Sequence, residues 1–250
     1  MTKEAPPARR RSRELLTKCM RAVAVGGLVC VLFGAWFVYR ESRNLPTAGA
    51  IQQQFRNHSF PRRGKHWVAL AGISSELRSA VVASEDRTFY RHHGFDFDET
   101  WEALWMDLRT RQFRRGGSTI TQQVARNVYL SPEKTVRRKF REAILSWRIE
   151  QALSKDEILE VYLNVAAWGD DITGAESAAQ FYFSKPANEV TWPEAALLAA
   201  ILPNPHRLSP LAAREETRRL RQVVLWKLML AHEIGAEEYY RASSEPLPRG

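Results

Sequence analysis

Hydrophobic residues recur along most of this chain at intervals of three and four, the spacing of α-helices that bury one face. Leu77, Val81 and Val82 follow Ser74 and Ser75, either of which can cap a helix start. Trp101, Leu104, Trp105 and Leu108 keep the spacing over Thr100 to Arg111, and Thr119 to Leu130 follows a Gly-Gly-Ser turn. Val136 to Leu153 carries Phe140, Ile144, Leu145, Trp147 and Ile149, and Asp156 opens a short helix with Ile158, Leu159 and Tyr162. Thr191 and Glu194 have capping-box spacing before Ala195 to Leu202, which Pro203 and Pro205 terminate. A last helix is expected from Arg214 to Ile234, with Leu220, Val223, Val224, Leu228 and Ala231 along one face. No alternating run is long enough for a sheet and no repeat is visible, so the fold class is mainly α.

The pattern changes near the N-terminus. Ala22 to Tyr39 is an unbroken uncharged run, close to the ~20 residues that cross a bilayer. Arg9, Arg10, Arg11, Arg13, Lys18 and Arg21 precede it, and Trp36, Tyr39 and Arg40 mark its end. The excess of basic residues on one side predicts a cytoplasmic tail and an external main domain. A cleaved leader is disfavoured because no Ala-x-Ala closes the run, and a buried core helix seldom has such flanks. The expected layout is a basic tail over residues 1–21, a transmembrane helix over 22–39 and a polar linker over 40–66. A catalytic domain over 67–235 and a C-terminal tail over 236–250 complete it.

Charge narrows the partners. Lys and Arg number 37 against 28 Asp and Glu, a formal net charge of +9, so an anionic ligand or surface is expected. Nucleic acid, anionic lipid and a phosphorylated substrate all suit that sign, and an external domain argues against nucleic acid. Cys19 and Cys30 are the two cysteines, which leaves the main domain without a disulfide or a cysteine metal site.

Three polar clusters interrupt the helical pattern. The first, Val82 to Asp96, sets Glu85 and Asp86 side by side after an apolar stretch, with Phe89, Tyr90 and Phe95 following. Those aromatics are placed to desolvate Glu85, which raises a carboxyl pKa and suits general acid/base work. The plainer alternative is a helix-end pair satisfied by Arg87 or Arg91. His92, His93, Asp96 and Asp98 match no standard metal spacing. The second cluster, Arg114 to Gln123, places Gly116 and Gly117 before a run of hydroxyls and amides. A helix starting at Ser118 or Thr119 would aim its positive end at an anion, the bland alternative being a loop before an ordinary cap. In the third, Arg126 to Glu142, Arg138, Lys139 and Glu142 share a helix face, with Lys134, Arg137 and Arg141 nearby. Such a group suits a departing pyrophosphate, although a charge run alone is more often a solvated face.

Taken in order, EDRTFYRHHGFD from Glu85, GGSTITQQ from Gly116, RKFRE from Arg138 and EILEVYLN from Glu157 resemble the family 51 glycosyltransferases, the peptidoglycan polymerases. AALLAAILPNP from Ala195 resembles that family's fifth stretch, and the likeness runs from about Trp67 to Leu230. The end at Gly250 suits the family's monofunctional biosynthetic members. The resemblance implies a lysozyme-like, mostly helical fold with a small membrane-proximal jaw. The implied reaction joins the C4 hydroxyl of lipid II to C1 of a lipid-linked glycan strand, inverting the anomeric centre and releasing undecaprenyl pyrophosphate. Carried over by position, Glu85 is the general base and Glu142 supports the pyrophosphate, with a divalent metal (Mg or Mn) and no organic cofactor. Ser118, Gln122 and Gln123 stand at the donor site, and Asp86, Thr119 and Asn164 are further substrate-binding positions. Arg126, Lys134, Arg138, Lys139 and Arg141 match or approximate phosphate-binding positions. Arg126 and Arg141 stand where Lys is common, and Lys134 where Arg is, which alters single contacts because Arg binds phosphate as a fork and Lys as a point charge. The implied partners are lipid II, the lipid-linked glycan strand, membrane lipids, bifunctional penicillin-binding proteins and division proteins, at a bacterial inner membrane with a periplasmic domain.

Three rivals are weaker. A glycan-cleaving lytic transglycosylase or muramidase on the same fold has no use for the basic cluster from Lys134 to Arg141. Ser131-Pro132-Glu133-Lys134 satisfies the Ser-x-x-Lys of penicillin-binding acyltransferases, but no partner motif follows. A non-catalytic membrane-tethered scaffold does not account for intact Glu85 and Glu142.

Overall fold

The computed structural model describes residues 7–97, 101, 109, 117–210 and 214–246. The helix expected over Thr100 to Arg111 lies outside them except for Trp101 and Arg109, as do Asp98, Arg114, Arg115 and Gly116. The chain divides into two units, residues 1–45 and 46–250.

The first unit is one helix, α1 (Pro7–Ser42). Its stretch Lys18–Ser42, 25 residues, is long and apolar enough by length and composition to cross a membrane, and none of its 18-residue apolar window is buried. At 1.5 Å per residue such a stretch spans about 37 Å, more than a ~30 Å hydrocarbon core. Val23, Val31, Phe33 and Tyr39 all face outward, an uncovered apolar surface that fits a transmembrane helix. The Arg40 guanidinium lies 5.3 Å from the Trp36 ring centre, which sets an amphipathic edge at the end of the span.

In the second unit, α2 (Ala48–Arg56) is capped by Thr47, whose hydroxyl accepts from the Ala50 N–H at 3.3 Å. This helix lies within the stretch read as a linker or juxtamembrane arm over 40–66. Ile51 and Phe60 are buried and α2 packs on α5, while Gln52 and Gln53 face outward and made the stretch read as polar. The remaining helices are α3 (Ser75–Glu85), α4 (Ile120–Tyr129), α5 (Val136–Ala152), α6 (Lys155–Val165), α7 (Ala175–Phe183), α8 (Trp192–Ile201), α9 (Arg214–Leu230) and α10 (Ala236–Ser244). Among the described residues no strand forms, only an antiparallel bridge between Ala167 and Thr173. The mainly helical expectation therefore stands.

Capping sets most of these starts. Ser74 accepts from the Leu77 N–H at 3.1 Å, and Thr119, Ser154 and Thr191 each begin a reciprocal capping box. α8 is buried all round, from Ala195 to Ile201, and forms the centre of the unit. Its alanines let α3 and α9 pack against it, and Leu197, Leu198 and Ile201 fill the space between, each burial stabilising by ~1.5–3 kcal/mol. α10 lies within the stretch read as a C-terminal tail over 236–250. It packs on α9, buries Ala242, and is held by Arg221, which donates to the Ser243 and Glu245 carbonyls at 3.2 and 2.8 Å.

One buried carboxylate ties the start of this unit to its interior. Glu160 on α6 accepts from Trp67 Nε1 at 2.9 Å and from the Leu70 N–H at 2.8 Å. Asn164, one turn on, accepts from the Val68 N–H at 2.9 Å and donates to the Val68 and Glu160 carbonyls, both at 2.8 Å. Replacing Glu160 by Ala strands two donors, so Glu160→Ala should cost ~2 kcal/mol or more and lower the thermal midpoint by ~4–8 °C. Circular dichroism of the detergent-solubilised chain checks this, and an unchanged midpoint would deny Glu160 that tethering role.

Candidate active site

Glu85 is the last residue of α3, where the chain leaves helical geometry at Asp86. The two neighbouring carboxylates are thereby turned to different partners. Asp86 is buried and accepts from the Ile120 N–H, in the first turn of α4, at 2.9 Å. Both of its oxygens also lie 3.0 Å from His92 Nε2, which therefore carries the proton of that contact, since Asp86 as a carboxylate only accepts. Thr119, the cap of α4, donates to the Gly94 carbonyl at 2.8 Å. These contacts fasten the turn after α3 to the start of α4 at two points.

Glu85 is held from α4. Gln123 Nε2 donates to Glu85 Oε2 at 2.7 Å, while the Tyr162 hydroxyl of α6 donates to Gln123 Oε1 at 3.3 Å and so orients the amide. Burial pushes the Glu85 carboxyl above its ordinary pKa, and nearby Asp86 adds to the rise. The Gln123 hydrogen bond and the charges of Lys227 and Arg126 oppose it without cancelling it. Lys227 is fixed by donating to the Ser84 carbonyl at 2.9 Å. Glu85 Oε1 has no hydrogen-bond partner among the described residues, which leaves one oxygen for an incoming hydroxyl. Tyr162 is itself pushed well above the ordinary phenol range by burial and by Glu85, so it stays a protonated donor.

A second cluster lies on α5. Glu142 is buried, with Arg138 Nη1 at 2.7 Å and Lys139 Nζ at 2.5 Å on its two oxygens. Lys139 also donates to Ser118 Oγ at 3.3 Å, which joins this cluster to the turn before α4. The face predicted for Arg138, Lys139 and Glu142 forms, but Glu142 points inward while Lys139 stays half exposed. Arg141 is half-buried with Nε unpartnered, and Lys134 is exposed on the loop before α5.

The donor set does not fit a metal ion held by protein side chains. Glu142 already faces two cations, and among the described residues no group of three His, Cys, Asp or Glu comes together. In the first cluster His92 is taken by Asp86, and Asp96 accepts from Thr88.

Apart from Lys134 and Arg141, the sequence-predicted residues part into two groups. Glu85, Gln123, Arg126, Ser118, Arg138, Lys139 and Glu142 supply the polar groups of the two clusters. Asp86, Thr119, Gln122 and Asn164 have their side chains engaged in the scaffold, Gln122 by accepting from the Thr119 N–H at 3.2 Å. The helix expected to begin at Ser118 or Thr119 begins at Ile120, and the anion at its N-terminus is Asp86. Arg87 and Arg91, the alternative partners for the carboxylate pair, bond to neither among the described residues. Lys227 and Tyr162 were missed. Tyr162 reads as one more apolar-face residue of α6, and no local pattern links Lys227 to Glu85.

The description of the transglycosylase family matches residues 51–229. A biosynthetic peptidoglycan transglycosylase of Nitrosomonas eutropha is 35% identical over 223 residues, covering 84% of this chain and 91% of that protein. One of Rhodospirillum centenum is 43% identical over 190 residues, covering 76% and 80%. Penicillin-binding protein 1A of Haemophilus influenzae is 42% identical over 238 residues, and this chain spans 27% of it. The crystal structure of that protein at 2.6 Å aligns with TM-score 0.45 and 24% identity, over 75% of this chain and 18% of that one.

The raised pKa of Glu85 has a thermodynamic sign. Between the ordinary value of 4.5 and the raised one, the folded chain binds a proton that the unfolded chain has lost. Stability contributed by this group therefore falls as pH rises through that window. Glu85→Gln should remove the fall and be more stable than wild type above it, as read by denaturant titrations from acid to neutral pH. Parallel stability curves for the two proteins would mean that Glu85 is not desolvated.

Proposed function

The chain belongs to the transglycosylase family, and on that premise we propose that it polymerises lipid II into β-1,4 glycan strands with Glu85 as general base. It is a peptidoglycan glycosyltransferase of cell-wall synthesis, and what is proposed is the substrate, the leaving group and the division of labour among its residues. The observation that carries the reading is a desolvated carboxylate with one oxygen held by Gln123 and the other without a partner among the described residues, together with a basic cluster on α5.

In the proposed step, Glu85 takes the proton of the acceptor C4 hydroxyl as that oxygen attacks C1 of the lipid-linked strand. The bond from C1 to the pyrophosphate oxygen breaks, and the pair of electrons leaves with undecaprenyl pyrophosphate. Attack on the face opposite the leaving group inverts the anomeric centre. Arg126, Arg138 and Lys139 stabilise the charge that develops on the departing oxygens. Glu142 acts as a positioning residue, holding Arg138 and Lys139 at the pyrophosphate rather than touching the reacting atoms.

The anchor follows from the substrate. A lipid-linked donor and acceptor stay in a bilayer, and an enzyme tethered by α1 works beside them. We place α1 across a bacterial inner membrane with its basic end in the cytoplasm, which leaves the catalytic unit in the periplasm.

Glu85→Gln should lower glycan-strand formation from labelled lipid II by ~10²–10⁴-fold, the usual weight of a general base, while lipid II binding persists. Gel-resolved products and a parallel binding titration measure the two effects. A Glu85→Gln enzyme that still makes a full ladder of strands would remove the base from the mechanism.

A further inference from the structure

A cavity of about 380 Å³ opens beside α3, among residues that the catalytic reading does not use. Its walls carry three guanidinium groups, Arg78, Arg87 and Arg91. None has a hydrogen-bond or ion-pair partner among the described residues, and Arg78 Nε is buried without one. An unmet buried donor is costly, of the order of 1–3 kcal/mol, so a polar group supplied from outside would be stabilising there. The volume is in the range of organic-ligand sites, roughly 300–1,000 Å³, and exceeds what a bare ion needs.

The rest of the lining narrows the ligand. Val82 and Leu159 give the cavity apolar walls. Glu233 stands at the rim, where Ser79 Oγ donates to one of its oxygens at 2.8 Å. The Tyr90 hydroxyl donates to Asp156 at 3.1 Å close by. Three cations against one lining carboxylate leave the walls net positive, which calls for an anionic ligand, and Glu233 adds a place for an ammonium that a bare phosphate would leave unused. The same set suits a molecule that carries carboxylates and an amine on a short apolar frame, with guanidiniums forking the carboxylates and Glu233 pairing the ammonium.

We propose that this cavity binds the peptide branch of peptidoglycan through its carboxylates, apart from the cluster that performs glycosyl transfer. The proposal rests on the peptidoglycan substrate assigned above, since that polymer carries short peptides of this charge pattern. Neither Glu85 nor Glu142 lines the cavity, so a bound peptide leaves both clusters open. Holding the branch of a growing strand would keep that strand on the enzyme between additions.

The test uses the full detergent-solubilised chain and a synthetic stem tetrapeptide with free carboxylates and a free amine, titrated by calorimetry. A carboxyl-amidated version and inorganic phosphate serve as the other ligands. The free peptide should bind wild type, and Arg91→Glu and Arg78→Gln should each weaken binding by about tenfold or more. Arg91 is exposed, so Arg91→Glu should keep its thermal midpoint, which guards against misfolding in the Arg78 variant. The amidated peptide should bind poorly. No binding to wild type, equal binding by Arg91→Glu, or equal binding of the amidated peptide would each overturn the proposal, as would binding of phosphate alone. Lipid II polymerisation, run alongside, separates the two readings. Peptide binding without polymer formation would count against the glycosyltransferase mechanism, and polymer formation without peptide binding against this site.

Discussion

The carboxylate of Asp86 joins the end of α3 to the beginning of α4, and the arrangement of the catalytic unit depends on that junction. It meets the first-turn N–H of Ile120 and the imidazole of His92 together, so a helix N-terminus and a loop converge on one buried anion. With the register of α4 set in this way, Gln123 comes opposite Glu85 and Tyr162 sets the direction of its amide. Two adjacent acids thus take opposite parts. Asp86 is satisfied and structural, whereas Glu85 is desolvated and keeps one oxygen without a partner among the described residues. Environment separates them, because their covalent chemistry is nearly the same.

The second cluster obeys a different rule. A buried glutamate between Arg138 and Lys139 is compensated within its own helix, and losing the partner of a buried pair such as Arg138–Glu142 typically costs ~3–5 kcal/mol. Glu142 therefore keeps two long, flexible cations in place before a substrate arrives. That preorganisation is what charge stabilisation requires. Ser118, bonded to Lys139, carries the order of this cluster toward α4.

Much of the architecture was legible because capping residues and apolar spacing are local signals. Ser74 and Thr191 announce α3 and α8, the hydroxyls at Ser118 and Thr119 announce α4, and the uncharged run before Arg40 announces α1. What escaped had weak or misleading local signals. α2 shows little besides Ile51 for its buried face, and α7 buries alanines behind Gly174, whose φ of +89° suits a residue without a side chain. In the site, the charged types were legible, and the hydrogen bonds that the neutral polar residues make within the fold were not. Thr119, Gln122 and Asn164 look like ligand-binding groups in sequence, yet their donors and acceptors close helix ends and fasten neighbouring segments. The approach of Lys227 to Glu85 joins positions far apart in the chain, and no local pattern carries it.

The central claim is that Glu85 is a desolvated carboxylate whose deprotonation governs turnover. Carbon-13 NMR of the glutamate carboxyls, with Glu85 assigned by its absence in Glu85→Gln, reads its pKa directly, and the acid limb of kcat/KM against pH reads the same ionisation kinetically. The account predicts that Glu85 titrates clearly above the ordinary 4.5 and that the acid limb falls at the same pH. A Glu85 titration at or below the ordinary value, or an acid limb that does not track it, would contradict the account.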